Sequence, residues 1–252
     1  MKNPVATIYT TKGNIKVELF PKEAPNSVHS FIWCAEKGFY NNRTIRRIEP
    51  DFVIEPSYSH FEDPNCDFML DGEFDTNGKP NTVKLEKGAL ALSGDGKAES
   101  HGCEFFFVLS DKAGERLQGD YPGFGKVIEG WDVVESLTDT ELKEVYIEEF
   151  NFYVHDAVKP EIMEKVEVET FGCPNDSLYK LRTVYVPEGV TKIHSEVARD
   201  NNMYYLYLPD SLTEIPDDLL TGCLTAYLNQ VRLGAHVTSI GNNDFKGLVT
   251  LP

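Results

Sequence analysis

Basic residues are scarce in this chain. Its 252 residues hold 24 Lys and Arg against 41 Asp and Glu, a formal charge of −17. So acidic a surface repels phosphate backbones and anionic lipid, which argues against nucleic acid and membranes as partners. Long apolar runs are missing too. No stretch approaches the roughly 18 apolar residues of a membrane span, and MKNPVATIYTTKG at the N-terminus has no apolar segment of signal-peptide length, so a cytoplasmic protein is expected. The five cysteines (Cys34, Cys66, Cys103, Cys173, Cys223) are odd in number and form no CxxC, and the six histidines are scattered without HExxH. Reduced thiols are therefore expected, with no metal site and no cofactor. What is present suits a folded protein: 41% of residues are hydrophobic and 12% aromatic, with length enough for one large domain or two small ones.

The charge is uneven along the chain. Residues 1–172 carry 18 basic and 32 acidic side chains, and residues 173–252 carry 6 and 9. Near the change, Phe171-Gly172-Cys173-Pro174-Asn175-Asp176 gathers the residues that end strands and make turns, directly after the alternating stretch 163–170. This places a domain boundary there, giving domains of residues 1–172 and 173–252.

Beyond the boundary a pattern recurs. Residues 184–193 (VYVPEGVTKI) are echoed by 206–215 (LYLPDSLTEI) and 231–240 (VRLGAHVTSI), with Ile193, Ile215 and Ile240 spaced 22 and 25 apart. Units of this length cannot bury an apolar face alone and stack on their neighbours. The phrase, clearest in 237–247 (VTSIGNNDFKG), resembles the BspA-like leucine-rich repeat, which implies a small solenoid over about 70 residues. Residues 248–252 read as the start of a fourth strand, covering the end of the stack or cut in mid-repeat. Tyr185, Tyr204, Tyr205 and Tyr207 on the strand faces offer either a protein-recognition surface or rings that stack between coils.

In the first 172 residues, 5–10 and 15–20 read as strands joined at Lys12-Gly13-Asn14. Pro25 opens an amphipathic helix with Val28, Phe31, Ile32 and Ala35 on one face, closed by Gly38. Short strands follow at 44–48, 52–54, 89–93, 104–109 and 124–128, then a helix over 131–137 and a strand over 163–170. Many short strands with two helices predict a mainly β protein: a closed antiparallel barrel capped by two helices.

In order along the chain stand KGNIKVELF (12–20), APNSVHSF (24–31), Gly38-Phe39-Tyr40, Ile45-Arg46-Arg47-Ile48, Phe52-Val53-Ile54, Glu104-Phe105-Phe106-Phe107 and Phe124-Gly125-Lys126-Val127. This series, over residues 5–171, resembles the cyclophilin-type peptidyl-prolyl cis-trans isomerases. The resemblance implies cis-trans isomerisation of proline-containing polypeptides, with Arg47 at the family's catalytic arginine in the segment usually written FHRVxxxFMxQ. It also implies substrate contacts from Phe52, Val53, Glu55, Ser93, Gly94, Glu104, Phe106, Leu117 and Tyr121. Among these, Phe52, Phe106 and Leu117 match the apolar wall around the proline ring, and Tyr121 stands where histidine is frequent.

The pocket also departs from the family's pattern. Glu55 and Glu104 replace glutamines, Val53 a methionine, Pro56-Ser57 a glycine pair, Ser93-Gly94 an alanine-asparagine pair, and Arg116 a tryptophan. A carboxylate beside Arg47 can orient the guanidinium or tie it up. Two functions are therefore carried forward. One is an active isomerase whose repeats serve as a protein-interaction module; the other is a weak or inactive cyclophilin-like module that binds proline-containing segments or partner proteins. Two carboxylates in the cleft further predict a preference for prolines with basic flanks.

Overall fold

The computed structural model describes residues 2–56, 58, 69–148, 151–173, 183–195, 205–220 and 230–243. Ser57, Cys66, Tyr204, Cys223, residues 174–176 of the expected boundary and residues 248–252 of the expected fourth strand lie outside them. The chain packs as two compact units, residues 1–179 and 180–252. No helix among the described residues is long and apolar enough to cross a membrane.

The first unit contains β1 (Val5–Thr10), β2 (Gly13–Leu19), α1 (Pro25–Glu36), β3 (Arg43–Glu49), β4 (Val53–Glu55), β5 (Met69–Asp71), β6 (Ala89–Gly94), β7 (Glu99–Val108), α2 (Asp111–Leu117), β8 (Gly123–Glu129), α3 (Trp131–Leu137), β9 (Leu142–Ile147) and β10 (Phe152–Glu169). Eight strands form an antiparallel ring in the order β1-β2-β8-β6-β7-β4-β3-β10, and β10 returns to β1 with Ile8 opposite Val166. Closure leaves none of these eight with an open edge on the ring. β5 pairs with β7, and β9 with β10, off the ring.

The barrel is filled by the period-2 faces of its strands, with Ala6 and Ile8 from β1, Ile15, Val17 and Leu19 from β2, and Leu90 and Leu92 from β6 all at 1% exposure or less. α1 closes the core with Val28, Phe31 and Ile32, and Phe31 meets Phe105 edge to face at 5.3 Å. Pro25 suits the first helical turn because its missing N–H has no intrahelical partner there. The next donors find a remote cap: Asn26 N and Ser27 N each donate to the Glu73 carboxylate at 2.9 Å, which also complements the helix dipole.

Among the described residues three α-helices accompany the barrel rather than the two expected. The extra one, α2, spans 7 residues with Gly114 in the middle, too short for its period to be legible. Its glycine is required by packing, since a Cβ there would stand 1.9 Å from the Leu85 carbonyl oxygen. The expected hairpin turn also shifts: Thr10 pairs with Gly13, so Thr11-Lys12 makes the turn, held by Thr10 Oγ1 donating to Gly13 O at 2.7 Å.

In the second unit β11 (Thr183–Tyr185), β12 (Tyr205–Tyr207) and β14 (Gln230–Arg232) form a parallel sheet, and β13 (Glu214–Ile215) pairs in parallel with β15 (Ser239–Ile240). Leu206 stands opposite Val184 and Val231, the matching positions of the three sequence copies. Leu206, Leu208, Leu212, Ile215, Leu219 and Leu220 make the core, with Val184, Val186, Ile193, Val231, Leu233 and Val237 packed against it. Tyr185 and Tyr207 stack face to face at 4.8 Å, with Tyr185 69% exposed.

Candidate active site

Arg47 lies on β3 directly opposite Glu55 on β4, because the two short strands pair with Ile48 against Ile54. Side chains of a cross-strand pair share a face about 5 Å apart, so the register alone sets guanidinium against carboxylate. Arg47 Nη1 donates to Glu55 Oε2, and Arg47 Nε reaches Glu49 Oε1 at 3.3 Å, two residues along on the same face. Glu55 is only 2% exposed, and its other oxygen accepts from Ser93 Oγ on β6. The Tyr58 ring lies under the guanidinium, 4.8 Å from Cζ. Burial opposes the charged form of Arg47, but the Glu55 carboxylate, with Tyr58 and Glu49, outweighs it and raises the pKa. Arg47 therefore stays a cation at any working pH.

Beside this pair opens a cavity of about 350 Å³, lined by Arg47, Phe52, Val53, Glu55, Ser93, Gly94, Phe106, Arg116, Leu117, Asp120 and Tyr121. Its apolar floor is one packed cluster: Val53, Phe106 and Leu117 are buried at 4%, 4% and 8% exposure, with Phe52 and Tyr121 partly buried against them. Tyr121 meets Phe106 edge-on at 5.5 Å. Burial, then the nearby Glu55 carboxylate, raises the Tyr121 pKa, so its hydroxyl remains a donor. Gly94 has no room for a side chain, since a Cβ would sit 2.1 Å from the Glu99 carbonyl oxygen, and it can offer only backbone groups.

The residues named from sequence thus converge on one cavity, with a single exception. Glu104 is buried at 3% exposure on β7 but is absent from the lining. It precedes Phe106 by two residues, one repeat of about 7 Å along the strand, and its carboxylate sits 3.9 Å from His101 Nε2. With Glu104 elsewhere and Glu55 bound to Arg47, Asp120 is the carboxylate of the lining without an ion pair among the described residues.

The family model described as cyclophilin type peptidyl-prolyl cis-trans isomerase/CLD matches residues 5–163. The chain belongs to this family. It is 30% identical over 154 residues to a peptidyl-prolyl cis-trans isomerase of Helicobacter pylori, covering 57% of this chain and 85% of that one. It is 32% identical over 120 residues to the peptidyl-prolyl cis-trans isomerase CYP57 of Arabidopsis thaliana, covering 48% of this chain but only 23% of that relative. Among solved structures, the Cryptosporidium parvum cyclophilin type peptidyl-prolyl cis-trans isomerase crystallised in the presence of the dipeptide Ala-Pro shares the fold at a TM-score of 0.54 and 20% identity, over 66% of this chain and 98% of that one.

In this cyclophilin-type barrel the structure adds partners that the sequence did not reveal. Glu49 Oε2 lies 2.7 Å from His155 Nδ1, so the polar chain through Arg47 continues onto β10. Glu49 was findable from its i+2 spacing on β3; His155 was not, because it depends on the path of β10. Tyr58 packs with Ile147 and Val154 of the β9–β10 hairpin. Burial lifts its pKa to about 12, with Arg47 pulling it down and Glu55 and Glu104 pushing it up, so the ring against Arg47 is a neutral phenol.

Proposed function

We propose that the barrel catalyses cis-trans isomerisation of X-Pro peptide bonds, with Arg47 as the electrostatic catalyst. The barrier to rotation is about 18–20 kcal/mol because the nitrogen lone pair is delocalised into the carbonyl. No covalent bond breaks. A donor aimed at the prolyl nitrogen favours the twisted transition state, where the lone pair is localised, over the planar ground state. The observation that carries this reading is a fixed guanidinium at the edge of a cavity floored by the apolar cluster of Phe52, Val53, Phe106 and Leu117. Two carboxylates and a ring hold Arg47, while its Nη2 has no acceptor among the described residues and is available to substrate. Phe52, Phe106 and Leu117 serve as the wall for the ring, Val53, Ser93 and Gly94 as further substrate contacts, and the Tyr121 hydroxyl as a donor to the substrate backbone. Glu55 positions Arg47, and Glu104 supports β7 from outside the cavity.

A second reading is that the barrel binds proline-containing segments with little turnover. The ion pair itself favours it, because a carboxylate bound to Nη1 restrains the guanidinium. An NMR exchange or protease-coupled assay on a short Ala-Pro peptide separates the two: accelerated exchange supports catalysis, and binding without acceleration supports the module.

We assign the second domain to a leucine-rich-repeat solenoid of BspA-like type and read it as a protein-interaction module. Parallel strands at 22- and 25-residue intervals with leucines stacked between them support this. The division at residues 172 and 173 is supported by the turn at its edge, where Phe171 and Gly172 take φ of 48° and 81°.

A further inference from the structure

We propose that Arg116 makes this barrel selective for prolines adjoined by an acidic residue, its guanidinium receiving the substrate carboxylate. The inference rests on the isomerase reading above and adds the substrate class. Four charged side chains line the cavity: Arg47, Glu55, Arg116 and Asp120. The first two neutralise each other inside the barrel wall, where Glu55 is 2% exposed. Asp120 accepts from the neutral Thr76 Oγ1 at 2.5 Å, which fixes it but leaves its charge in place, so it is the anion that Arg116 has to outweigh. Arg116 has no hydrogen-bond or ionic partner among the described residues, and its Cζ lies over the Phe52 ring at 5.1 Å.

That geometry suits an anion receptor. Stacking on Phe52 occupies one face of the guanidinium and leaves the N–H donors around its edge for a planar carboxylate, beside the ring that would hold the proline. The helix that carries Arg116 is fixed in advance. α2 is capped by Ser110, whose Oγ accepts from Ala113 N at 3.1 Å, and is seated through buried Ala113, Gly114 and Leu117. Binding then has to order the exposed Arg116 side chain but not the backbone beneath it. The chain's overall negative charge and Asp120 in the same lining work the other way, but at about 0.15 M salt charges beyond about 8 Å are largely screened, so the contest is local, between Arg116 and Asp120.

The test uses the full chain at that ionic strength and peptides with Glu, Gln or Lys placed immediately before or immediately after a single proline. The rate constant kcat/KM should favour Glu over Lys in one of the two positions by about two- to five-fold, the range of an exposed ion pair. Arg116→Gln should bring that ratio to one, and Arg116→Lys should keep part of it. Equal rates across the three peptides at both positions, a preference for Lys, or a Glu preference that survives Arg116→Gln would each overturn the proposal. Affinities of the same peptides from chemical-shift titration read the ratio independently of turnover. Arg116-dependent Glu preference in affinity without any turnover would remove the isomerase reading and keep this one, whereas turnover indifferent to the flank would do the reverse.

Discussion

Replacing Glu55 by Gln tests what the buried carboxylate does to the arginine it holds. The change keeps the side chain's size and removes the charge; the single amide oxygen can still accept from Arg47 Nη1, and the amide NH2 that takes the place of the other oxygen donates to Ser93 Oγ instead of accepting from it. Hydrogen bonds to charged groups contribute about 1.5–3 kcal/mol and neutral ones about 0.5–1.5 kcal/mol, so the grip on Arg47 weakens by about 1 kcal/mol. If all of this is released as Arg47 turns toward the prolyl nitrogen, isomerisation speeds up about five-fold, since 1.4 kcal/mol corresponds to tenfold. The assay is exchange NMR on an Ala-Pro tetrapeptide, with thermal unfolding to verify that the barrel remains folded. A folded variant whose rate is unchanged or lower would show that Glu55 orients Arg47 productively and would refute the restraint argument.

Three further outcomes follow from the same geometry. Arg47→Ala should lower turnover by about 10²–10³, the loss typical of a single electrostatic donor; it also strands the buried Glu55 charge, so Arg47→Ala/Glu55→Gln is the variant to check for a native-like melting temperature together with lost activity. Asp156 is 1% exposed and binds Arg46 through Nε at 2.8 Å and Lys143 at 3.1 Å; burial pushes its pKa up, but these hydrogen bonds prevail and hold it below the ordinary 3.8. With the folded pKa depressed, its contribution is full above about pH 4 and lost as pH falls through the folded pKa, so Asp156→Asn should cost about 2 kcal/mol at pH 7 by urea unfolding and progressively less below pH 3.8. Gly114→Ala should destabilise by about 1–3 kcal/mol, because its Cβ would collide with Leu85 O, and should lower affinity for proline peptides by shifting Leu117 and Arg116.

The parts of the fold legible in the sequence are those whose period is long or whose punctuation is strong. β1, β2 and α1 announce themselves by alternation, by Val28, Phe31 and Ile32 on one face, and by Pro25. The cavity was legible through ordered motifs rather than through periodicity: Phe52 on a turn, Phe106 on β7 and Leu117 on α2 carry no shared local signal, and only the ring of strands brings them together. The β9–β10 hairpin escaped notice because Tyr146, Phe152 and Tyr153 are exposed, which blurs the alternation of a strand. Glu104 enters the expected site because it stands where the family carries a glutamine; the structure places it on β7 outside the cavity lining. The charge excess that marked the first domain does not by itself set specificity, since formal charge does not reveal that Glu55 pairs with Arg47.

The central claim is that Arg47 and the cavity beside it accelerate rotation about a prolyl bond. The most direct measurement is two-dimensional exchange NMR on a short Ala-Pro peptide, with and without a catalytic amount of the full chain, since uncatalysed exchange takes tens to hundreds of seconds. The account predicts cis–trans cross-peaks on a sub-second mixing time that disappear when the Arg47→Ala/Glu55→Gln variant is substituted. Exchange no faster than the peptide alone, or equal acceleration by that variant, would contradict it.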